Sequence, residues 1–386
     1  MKKRILFIHH AGGIGGAPRS LSFLISQLNK EKYEPIVLIL RKGPAENILR
    51  DAGAKVLFYK GLFSFNGTTV SGMDFKLFLA NFIGFFPTLL KSYFIIKKVK
   101  PHILHLNTTC LFSFAIASKI RNKNIPVISH VREPILKGFW GSFLRIGNKI
   151  AVDGFIGISN YDLESVKIKK QSKQVVFNSY NFSKAAKNIG IHRNEVRSQY
   201  KIGDKIVLLY LCRISPSNGL LELVSFFIKN KDEFRDVCLM IVGFDPLDKS
   251  GYVNEVVKLC SEYPDIFKLI NKTLDVTPFL DACDLVISPF VTPHFARSVI
   301  EAAAFSKAVI VSNVGCQNEL VIDNQTGWLY NNENELKEVL IDVTNNPDKI
   351  PSFGKNARQY GIKTFNSIDN NKKIVDFYES FFNKDG

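Results

Sequence analysis

The chain has 386 residues, of which 46% are hydrophobic and 22% charged, and its formal net charge is +16. This length suits two domains, and the 32 phenylalanines exclude a chain that is disordered throughout. We find no Gly-X-Y pattern, heptad or longer repeat, which excludes fibrous and solenoid proteins. The six cysteines are widely spaced without a Cys-x-x-Cys pair, so we expect reduced, mostly buried thiols in a cytosolic protein. The apolar run Ile5–Ile8 is too short for a signal peptide and predicts a first β-strand.

The excess positive charge lies entirely in the first half of the chain. Residues 1–183 carry a formal charge of +18, whereas residues 184–386 carry −2. Within the first half, segment 75–100 interleaves aromatic residues with lysines. This pattern suits the surface of an anionic membrane, and it also suits core-facing helices with solvated lysines. Charged and polar residues interrupt the segment, so we do not expect it to span a membrane. A basic surface can also bind nucleic acid, but no known binding motif is present and we expect no such partner.

Short runs of β-branched and aromatic residues alternate with longer helical patterns, which predicts a parallel α/β architecture. The predicted strands are Ile5–Ile8, Ile36–Leu40, Val56–Tyr59, Ile103–Leu106, Val127–His130, Phe155–Ile158, Val175–Phe177, Ile206–Leu211, Val237–Val242, Phe267–Ile270, Leu285–Ser288 and Ala308–Ser312. We expect two Rossmann-like domains, residues 1–183 and 184–365, whose sheets face a central cleft. The polar stretch 183–204 is the expected linker, and residues 366–386 are expected to form a helix that packs back across the junction.

The first predicted strand runs into a glycine-rich loop that ends at Pro18, where a helix is predicted to begin. Glycines let a ligand approach the backbone, and the free N–H groups at a helix start attract phosphate. The loop lacks a Walker lysine and a complete dinucleotide fingerprint, so Gly15 and Gly16 either meet a phosphate or only form a tight turn. His9 and His10 are either polar loop residues or catalytic groups.

Two segments in the second half, a loop and a helix, carry charged residues shortly after predicted strands. Arg213 could hold a diphosphate through two guanidinium N–H groups, although a surface arginine in a polar turn shows the same pattern. Glu301 lies in an apolar helix, where a carboxylate is costly unless a group such as the ribose hydroxyls binds it. Arg297 and Ser298 lie at the start of that helix and are added to the candidate site because of their position.

In their order and spacing these motifs resemble glycosyltransferase family 4, the retaining, nucleotide-sugar-dependent enzymes of GT-B fold. The resemblance covers nearly the whole chain, and its segments are Gly15–Ala17, His105–Asn107, Pro126–Glu133, Ile156–Ser159, Asn178, Arg213–Pro216, Ile241–Gly243, Ala282–Asp284, Ser288–Pro289, Glu301–Ala302, Gly315–Glu319 and Thr326–Gly327. It implies the GT-B fold and sugar transfer without a cofactor. The chain has no Asp-x-Asp motif, so we expect no metal requirement.

The resemblance also implies residue roles. Arg213 is expected to bind the donor diphosphate, Glu301 the nucleotide ribose, and His130 to lie near the donor sugar. The predicted catalytic residues are therefore His130 and Arg213, and the predicted donor-binding residues are Gly15, Gly16, Arg213, Asn218, Arg297, Ser298 and Glu301. Glu319 matches a recurrent glutamate whose implied role is structural.

The chain departs from the family pattern at two positions. Asn218 replaces the lysine expected five residues after Arg213, and a lost charge-assisted contact removes roughly 1.5–3 kcal/mol. Pro293 replaces the first glutamate of the E-x7-E motif, which should alter contacts to the sugar hydroxyls. Arg297, His294 or a lysine from elsewhere in the chain are the candidates to compensate.

The resemblance therefore predicts a hexosyltransferase of class EC 2.4 that moves a sugar from a nucleotide sugar to a lipid-linked or cell-surface glycan. We expect it at the inner face of a bacterial cytoplasmic membrane, as a peripheral protein. The two departures leave open a catalytically degenerate protein that binds sugar nucleotides or glycans. A sugar-nucleotide epimerase shares the fold and is the third alternative.

Overall fold

A computed structural model describes residues 2–13, 15–167 and 170–382. Within these ranges the strands form two parallel sheets. The strands are β1 (Lys3–His9), β2 (Tyr33–Ile39), β3 (Lys55–Phe58), β4 (Ile103–Leu106), β5 (Val127–Val131), β6 (Gly154–Gly157), β7 (Ser172–Val175), β8 (Ile206–Leu211), β9 (Val237–Phe244), β10 (Phe267–Asn271), β11 (Leu285–Ser288), β12 (Ala308–Ser312) and β13 (Gly327–Tyr330). The sheet orders are β3-β2-β1-β4-β5-β6-β7 and β10-β9-β8-β11-β12-β13.

Helices connect successive strands, as parallel pairing requires. They are α1 (Gly16–Gln27), α2 (Ala45–Asp51), α3 (Phe75–Val99), α4 (Phe112–Arg121), α5 (Gly138–Ala151), α6 (Asn160–Glu164), α7 (Phe182–Ala186), α8 (Arg193–Gln199), α9 (Leu220–Lys229), α10 (Gly251–Glu262), α11 (Thr277–Ala282), α12 (Arg297–Ala304), α13 (Gln317–Leu320), α14 (Glu333–Asn345), α15 (Lys349–Thr364) and α16 (Ser367–Phe382). Short 3₁₀ helices lie at Thr109–Leu111 and Pro216–Asn218. The predicted fold class, two parallel α/β domains, is confirmed.

The chain divides into a first unit, residues 1–178 with 367–386, and a second unit, residues 179–366. The last four residues of the expected C-terminal segment, 383–386, lie outside the described residues. The rest of that segment is α16, which belongs to the first unit. All six cysteines are unpaired and five are buried.

The expectation that residues 183–204 form a linker is wrong, because this stretch contains most of α7 and all of α8. The buried carboxylate of Asp281 accepts hydrogen bonds from the backbone N–H groups of Gly190, His192 and Arg193 at 2.7–3.1 Å. Arg193 also pairs with Asp284 at 2.6 Å. Long-range carboxylates thus order a segment that has few apolar residues of its own.

The predicted strands coincide with observed strands except at one edge of each sheet. β7 lies three residues earlier than the predicted Val175–Phe177, because its sequence is mostly polar and apolar patterning does not reveal it. β13 begins with a glycine and spans only four residues, and the apolar patterning does not predict it.

The first sheet is covered on both faces. Alternate residues of β1 face opposite sides, so that Leu6 and Ile8 join one apolar cluster and Ile5 and Phe7 join the other. The first cluster packs under α3, α4 and α5, and the second packs under α1 and α16. The second sheet is packed mainly against α9, α10 and α14.

α3 has an inward face and an outward face. Phe78, Phe82, Phe85 and Tyr93, which the sequence placed in an interfacial segment, pack against the core cluster. The outward face is a stripe of six exposed apolar side chains: Phe75, Leu79, Ile83, Phe86, Leu90 and Phe94. In the described part of the chain, α3 is the one helix long and apolar enough to cross a membrane by length and composition, and 33% of its most apolar window is buried.

Candidate active site

The strand order reverses once in each sheet. β1 lies between β2 and β4 in the first unit, and β8 lies between β9 and β11 in the second. Ligands of open parallel sheets bind outside the carboxyl ends of the strands at such reversal points. The glycine loop follows β1 and Arg213 follows β8, so each unit carries its predicted site residues where its own topology favours a ligand.

Arg213 is exposed in the loop between β8 and α9. Its carbonyl oxygen accepts hydrogen bonds from Tyr210 Oη at 3.0 Å and Asn218 Nδ2 at 2.7 Å. Gly219 then turns the chain with φ 67°, where a Cβ would overlap the carbonyl oxygen of Pro289. The loop backbone is therefore fixed, and no carboxylate of the described residues forms an ion pair with the Arg213 guanidinium.

Asn218 is buried beneath this loop, with 4% of its surface exposed. Besides its bond to the Arg213 carbonyl, its amide nitrogen lies 3.0 Å from Cys212 Sγ. The amide oxygen accepts from Ser217 Oγ at 3.4 Å. The Asn218 side chain therefore holds the loop that bears Arg213, and its predicted contact with a donor stays a prediction.

α12 presents the other predicted residues of the second unit. Glu301 is buried and its Oε1 lies 3.8 Å from Arg297 Nε, so the carboxylate expected to need a ligand already has a cationic partner. Ser298 Oγ lies 2.9 Å from Ser288 Oγ at the end of β11. Burial raises the pKa of Cys212, and the charge of Glu301 adds to this shift. Glu301 is therefore within electrostatic range of Cys212, the residue directly before Arg213.

The segment that replaces the E-x7-E glutamate places an imidazole beside Arg213. The His294 ring stacks on Phe290 with centroids 3.9 Å apart, and its Nδ1 donates to the Thr292 carbonyl at 2.7 Å. Burial, assisted by the Arg213 charge, lowers the pKa of His294. The ring is neutral at pH 7 and leaves Nε2 as an acceptor. His294 therefore does not supply the charge of the missing lysine.

The glycines of the first-unit loop have different roles. A Cβ on Gly12 would overlap the carbonyl oxygen of Lys42, and one on Gly43 would overlap that of Gly12, so these two glycines permit backbone packing. By contrast, the space beside Gly13 and Gly15 is open. α1 begins after Gly15 with no side chain capping its first N–H groups and no acidic residue in its first turn. This helix start remains available to an anion.

Three buried histidines share one face of the first sheet, and a polar network joins them to neighbouring residues. Arg132 Nε donates to Asn107 Oδ1 at 2.8 Å, and Asn107 Nδ2 lies 2.9 Å from His9 Nδ1. Arg132 Nη2 lies 3.4 Å from His130 Nδ1. His105 packs edge-to-face on His130, with ring centroids 5.5 Å apart. His9 and His130 stand out as candidates in the sequence, whereas Arg132 does not. The signal of Arg132 is its position directly after buried β5.

This network fixes the proton positions on two of the rings. A guanidinium only donates, so His130 Nδ1 accepts and its proton lies on Nε2. The Asn107 oxygen is occupied by Arg132, so the Asn107 amide nitrogen donates to His9 Nδ1 and the His9 proton also lies on Nε2. Both Nε2 atoms are buried without a hydrogen-bond partner among the described residues.

Burial keeps these rings neutral. Desolvation lowers the pKa of His9 to about 3 and that of His105 to about 3, with smaller contributions from the Arg132 charge. It lowers the pKa of His10 to about 4 and that of His130 well below its usual range. His9 and His130 are therefore neutral N–H donors at pH 7 rather than bases.

This chain is similar in sequence or in fold to several known glycosyltransferases. Residues 192–360 match the family described as Glycosyl transferases group 1. The capsular polysaccharide biosynthesis glycosyltransferase CapM of Staphylococcus aureus is 23% identical over 76% of this chain and 80% of its own. A trehalose synthase of Thermococcus litoralis is 24% identical over 46% of this chain, and the match spans only 45% of that relative. The crystal structure of Anabaena HepE in complex with UDP-glucose has a TM-score of 0.80, at 18% identity, over 98% of this chain and 99% of its own.

The protein therefore has the GT-B fold, and its residues 192–360 are similar to the group 1 glycosyl transferases. The predicted GT-B fold and the predicted resemblance to glycosyltransferases are confirmed, whereas the retaining mechanism stays a prediction. Membership of family 4 stays a prediction, as do the roles of the individual site residues.

Proposed function

We propose that the protein is a retaining, metal-independent glycosyltransferase that transfers a hexosyl residue from a nucleotide sugar to a lipid-linked or cell-surface glycan. The observation that carries the proposal is Arg213, exposed on a fixed loop at the reversal point of the second sheet with Glu301 in the same neighbourhood. The family match covers this unit. The similarity to CapM supports a surface glycan as the product, and the HepE complex makes UDP-glucose the first donor to test.

The donor would be held by charge and hydrogen bonds. Arg213 would bind the diphosphate through two N–H groups, and Glu301 would accept from the ribose hydroxyls while Arg297 holds its carboxylate. His294 Nε2 would accept a hydrogen bond from a donor hydroxyl group near the diphosphate. Gly15 and Gly16 would offer the N–H groups at the start of α1 to a phosphate oxygen.

The reaction breaks the bond between the sugar C1 and the diphosphate oxygen and forms a bond from C1 to an acceptor oxygen on the same face. The proton of the acceptor hydroxyl passes to the departing diphosphate. Arg213 would stabilise the negative charge that develops on the leaving group, so this chain would act mainly by electrostatic stabilisation. No separate protein base is required by this course.

The histidine network fits such a role. His130 Nε2–H would donate to a sugar hydroxyl, and Arg132 would hold the ring in the tautomer that makes this possible. A buried N–H without a partner costs about 1–3 kcal/mol, which a ligand oxygen would recover. His130 would therefore orient the sugar instead of accepting a proton.

Nucleotide release measured with and without acceptor tests the proposal. We expect acceptor-dependent release from one nucleotide sugar, unchanged by a chelator. Arg213→Gln should lower kcat/KM by at least about tenfold, because a charge-assisted contact is lost. Arg235→Gln, which removes an exposed arginine paired with Asp232 in the same unit, is the matched control. Release that ignores the acceptor would contradict a transferase and favour an epimerase or a binding protein.

The degenerate alternative has a specific test, because two family side chains are missing. The double substitution Asn218→Lys with Pro293→Glu restores both. A large gain in transfer would favour the degenerate protein. We expect a loss instead, because Asn218 holds the Arg213 carbonyl and the Pro293 segment positions His294.

We place the protein at the inner face of the cytoplasmic membrane, with the exposed stripe of α3 against the bilayer. Phe86, 66% exposed, and Phe94, 57% exposed, lie on this stripe, and Lys91, Lys97 and Lys98 lie on the same helix. Apolar side chains flanked by cations suit an anionic interface. Co-sedimentation should increase with the anionic lipid content of vesicles and decrease with salt. Binding that depends on neither would contradict this placement.

A further inference from the structure

A cavity of about 490 Å³ lies in the first unit, at the edge of the sheet opposite to His130. Its lining includes Pro126, directly before β5, Asp153, directly before β6, and Ser172, the first residue of β7. The cavity is therefore at the amino ends of these strands, whereas His130 is near a carboxyl end. Strands of four or five residues separate the two edges by about 13–17 Å.

The cavity is strongly cationic. Four lysines and one carboxylate line it: Lys119, Lys123, Lys149, Lys170 and Asp153. Asp153 pairs with Lys119 Nζ at 2.6 Å and also accepts from the Val127 N–H at 2.7 Å. Lys119 further donates to the carbonyls of Lys123 and Ile125, both at 3.0 Å. The charges of Asp153 and Lys119 are therefore paired with each other.

The remaining three lysines have no such partner. In the described part of the chain, the Nζ atoms of Lys123, Lys149 and Lys170 form no ion pair and no hydrogen bond. Three uncompensated ammonium groups around one concavity repel one another and attract a compact anion. A phosphate group carries enough charge and acceptor oxygens to contact all three.

Apolar side chains border the same cavity. Ile150 belongs to its lining and is 74% exposed, and Ile146 lies exposed one turn earlier on α5. Ile120, next to Lys119 at the end of α4, is also exposed. Binding of a free phosphate would leave these isoleucines exposed to water. Binding of a phospholipid would bury them against its acyl chains.

The cavity also adjoins the helical layer that bears the α3 stripe. α3, α4 and α5 pack side by side, and Phe78 of α3 contacts Trp140 of α5 with ring centroids 4.9 Å apart. One membrane surface extending along this layer would reach both the stripe and the exposed isoleucines.

We propose that this cavity binds the phosphate of an anionic phospholipid headgroup through Lys123, Lys149 and Lys170, with Ile146 and Ile150 against the acyl region. The inference extends the membrane placement proposed above and rests on it, but not on the sugar transfer reaction. The specific headgroup contact then lies at the ends of α4 and α5, and the exposed stripe of α3 contributes a separate apolar contact. Within the first unit the cavity lies at the opposite strand ends from His130 and the glycine loop, so we assign it to attachment and not to catalysis.

The test uses full-length protein and flotation with phosphatidylcholine vesicles that contain increasing phosphatidylglycerol. The triple substitution K123Q/K149Q/K170Q should weaken binding at least about tenfold. The matched control K249Q/K258Q/K355Q removes the same charge from exposed positions of the second unit and should change binding less than about twofold. Equal weakening by both triples would overturn the headgroup site in favour of diffuse attraction.

Two further arms distinguish the sources of phosphate. Ile150→Gln should weaken vesicle binding while leaving the cavity's affinity for inorganic phosphate unchanged. Phosphate binding that requires the three lysines, combined with vesicle binding that does not, would mean a free-phosphate site and overturn the lipid assignment. In solution, acceptor-dependent nucleotide release by the triple lysine variant should match that of wild type. Loss of vesicle binding alone therefore concerns the headgroup site, whereas loss of nucleotide release concerns the proposed transferase.

Discussion

Asn218 lies where the family resemblance leads one to expect a lysine, and its position explains how the neighbouring loop keeps its shape. Its amide nitrogen holds the Arg213 carbonyl at 2.7 Å from a buried site. A lysine would place a positive charge near the diphosphate, whereas the asparagine stabilises the loop by a hydrogen bond to its backbone. The sequence revealed the substitution, but the inward contacts depend on three-dimensional packing that spacing alone does not encode.

Asn218→Ala tests this role. The substitution leaves the Arg213 carbonyl with one fewer donor and should lower the free energy of unfolding by about 1–3 kcal/mol. It should also weaken nucleotide binding, because the guanidinium is no longer held in place. Calorimetric titration with UDP measures the second effect. Asn254→Ala, which removes an exposed amide bonded to the Lys249 carbonyl, is the control. Unchanged affinity in Asn218→Ala would show that the loop does not need this contact.

The buried histidines of the first unit predict how stability depends on pH. Their folded-state pKa values are lowered, to about 3 for His9 and His105 and about 4 for His10, so the unfolded chain binds more protons below pH 6.5. The free energy of unfolding should therefore be highest above about pH 6.5 and should fall as the pH decreases towards 4. Each histidine contributes up to about 1.4 kcal/mol per pH unit.

Denaturant unfolding at pH 7, 6 and 5 measures this dependence. His10→Asn should reduce the slope by the contribution of one histidine. A free energy of unfolding that stays constant from pH 7 to 5 would show that the rings are not buried as neutral groups.

At the scale of elements, the glycine loop combines packing and ligand access. Gly12→Ala should lower the free energy of unfolding by about 1–3 kcal/mol, because the added Cβ would overlap the Lys42 carbonyl and force the backbone to shift. Gly13→Ala is a control in the same loop, since the space beside Gly13 is open, and should change it by no more than about 0.5 kcal/mol. Thermal or denaturant unfolding of the pair measures the difference. Similar stability of the two variants would mean that the Gly12 contact is not tight.

The same scale shows what patterning predicts and what it does not. Apolar runs of four to six residues located most strands, because a parallel strand buried on both faces must be apolar throughout. Patterning failed for α8, whose start depends on Asp281 from about ninety residues away. It also did not separate the two faces of α3, since four of the seven aromatic residues in segment 75–100 pack against the core. The motif loops after β1, β8 and β11 were located correctly, but the Arg132 network joins several strands and is visible only in the fold.

At the scale of the whole molecule, the first and second halves of the chain differ in charge in a way that fits different tasks. Residues 1–183 carry +18 and residues 184–386 carry −2. The positive first unit bears the exposed α3 stripe and the lysine cavity, both directed at an anionic membrane in our proposals. The second unit contains the family match and the donor residues Arg213 and Glu301. Attachment and donor binding can therefore be tested separately in one intact chain.

The measurement that tests the central claim most directly is a thermal-shift titration of wild type and Arg213→Gln with UDP, GDP, ADP and CMP. Binding to the native state raises the melting temperature, by the equivalent of about 2.7 kcal/mol at a ligand concentration one hundred times Kd. We expect a clear shift with one nucleoside diphosphate in wild type, and a shift that requires at least about tenfold more ligand in Arg213→Gln. The absence of any shift at millimolar nucleotide, or an equal shift in both proteins, would contradict donor binding at Arg213.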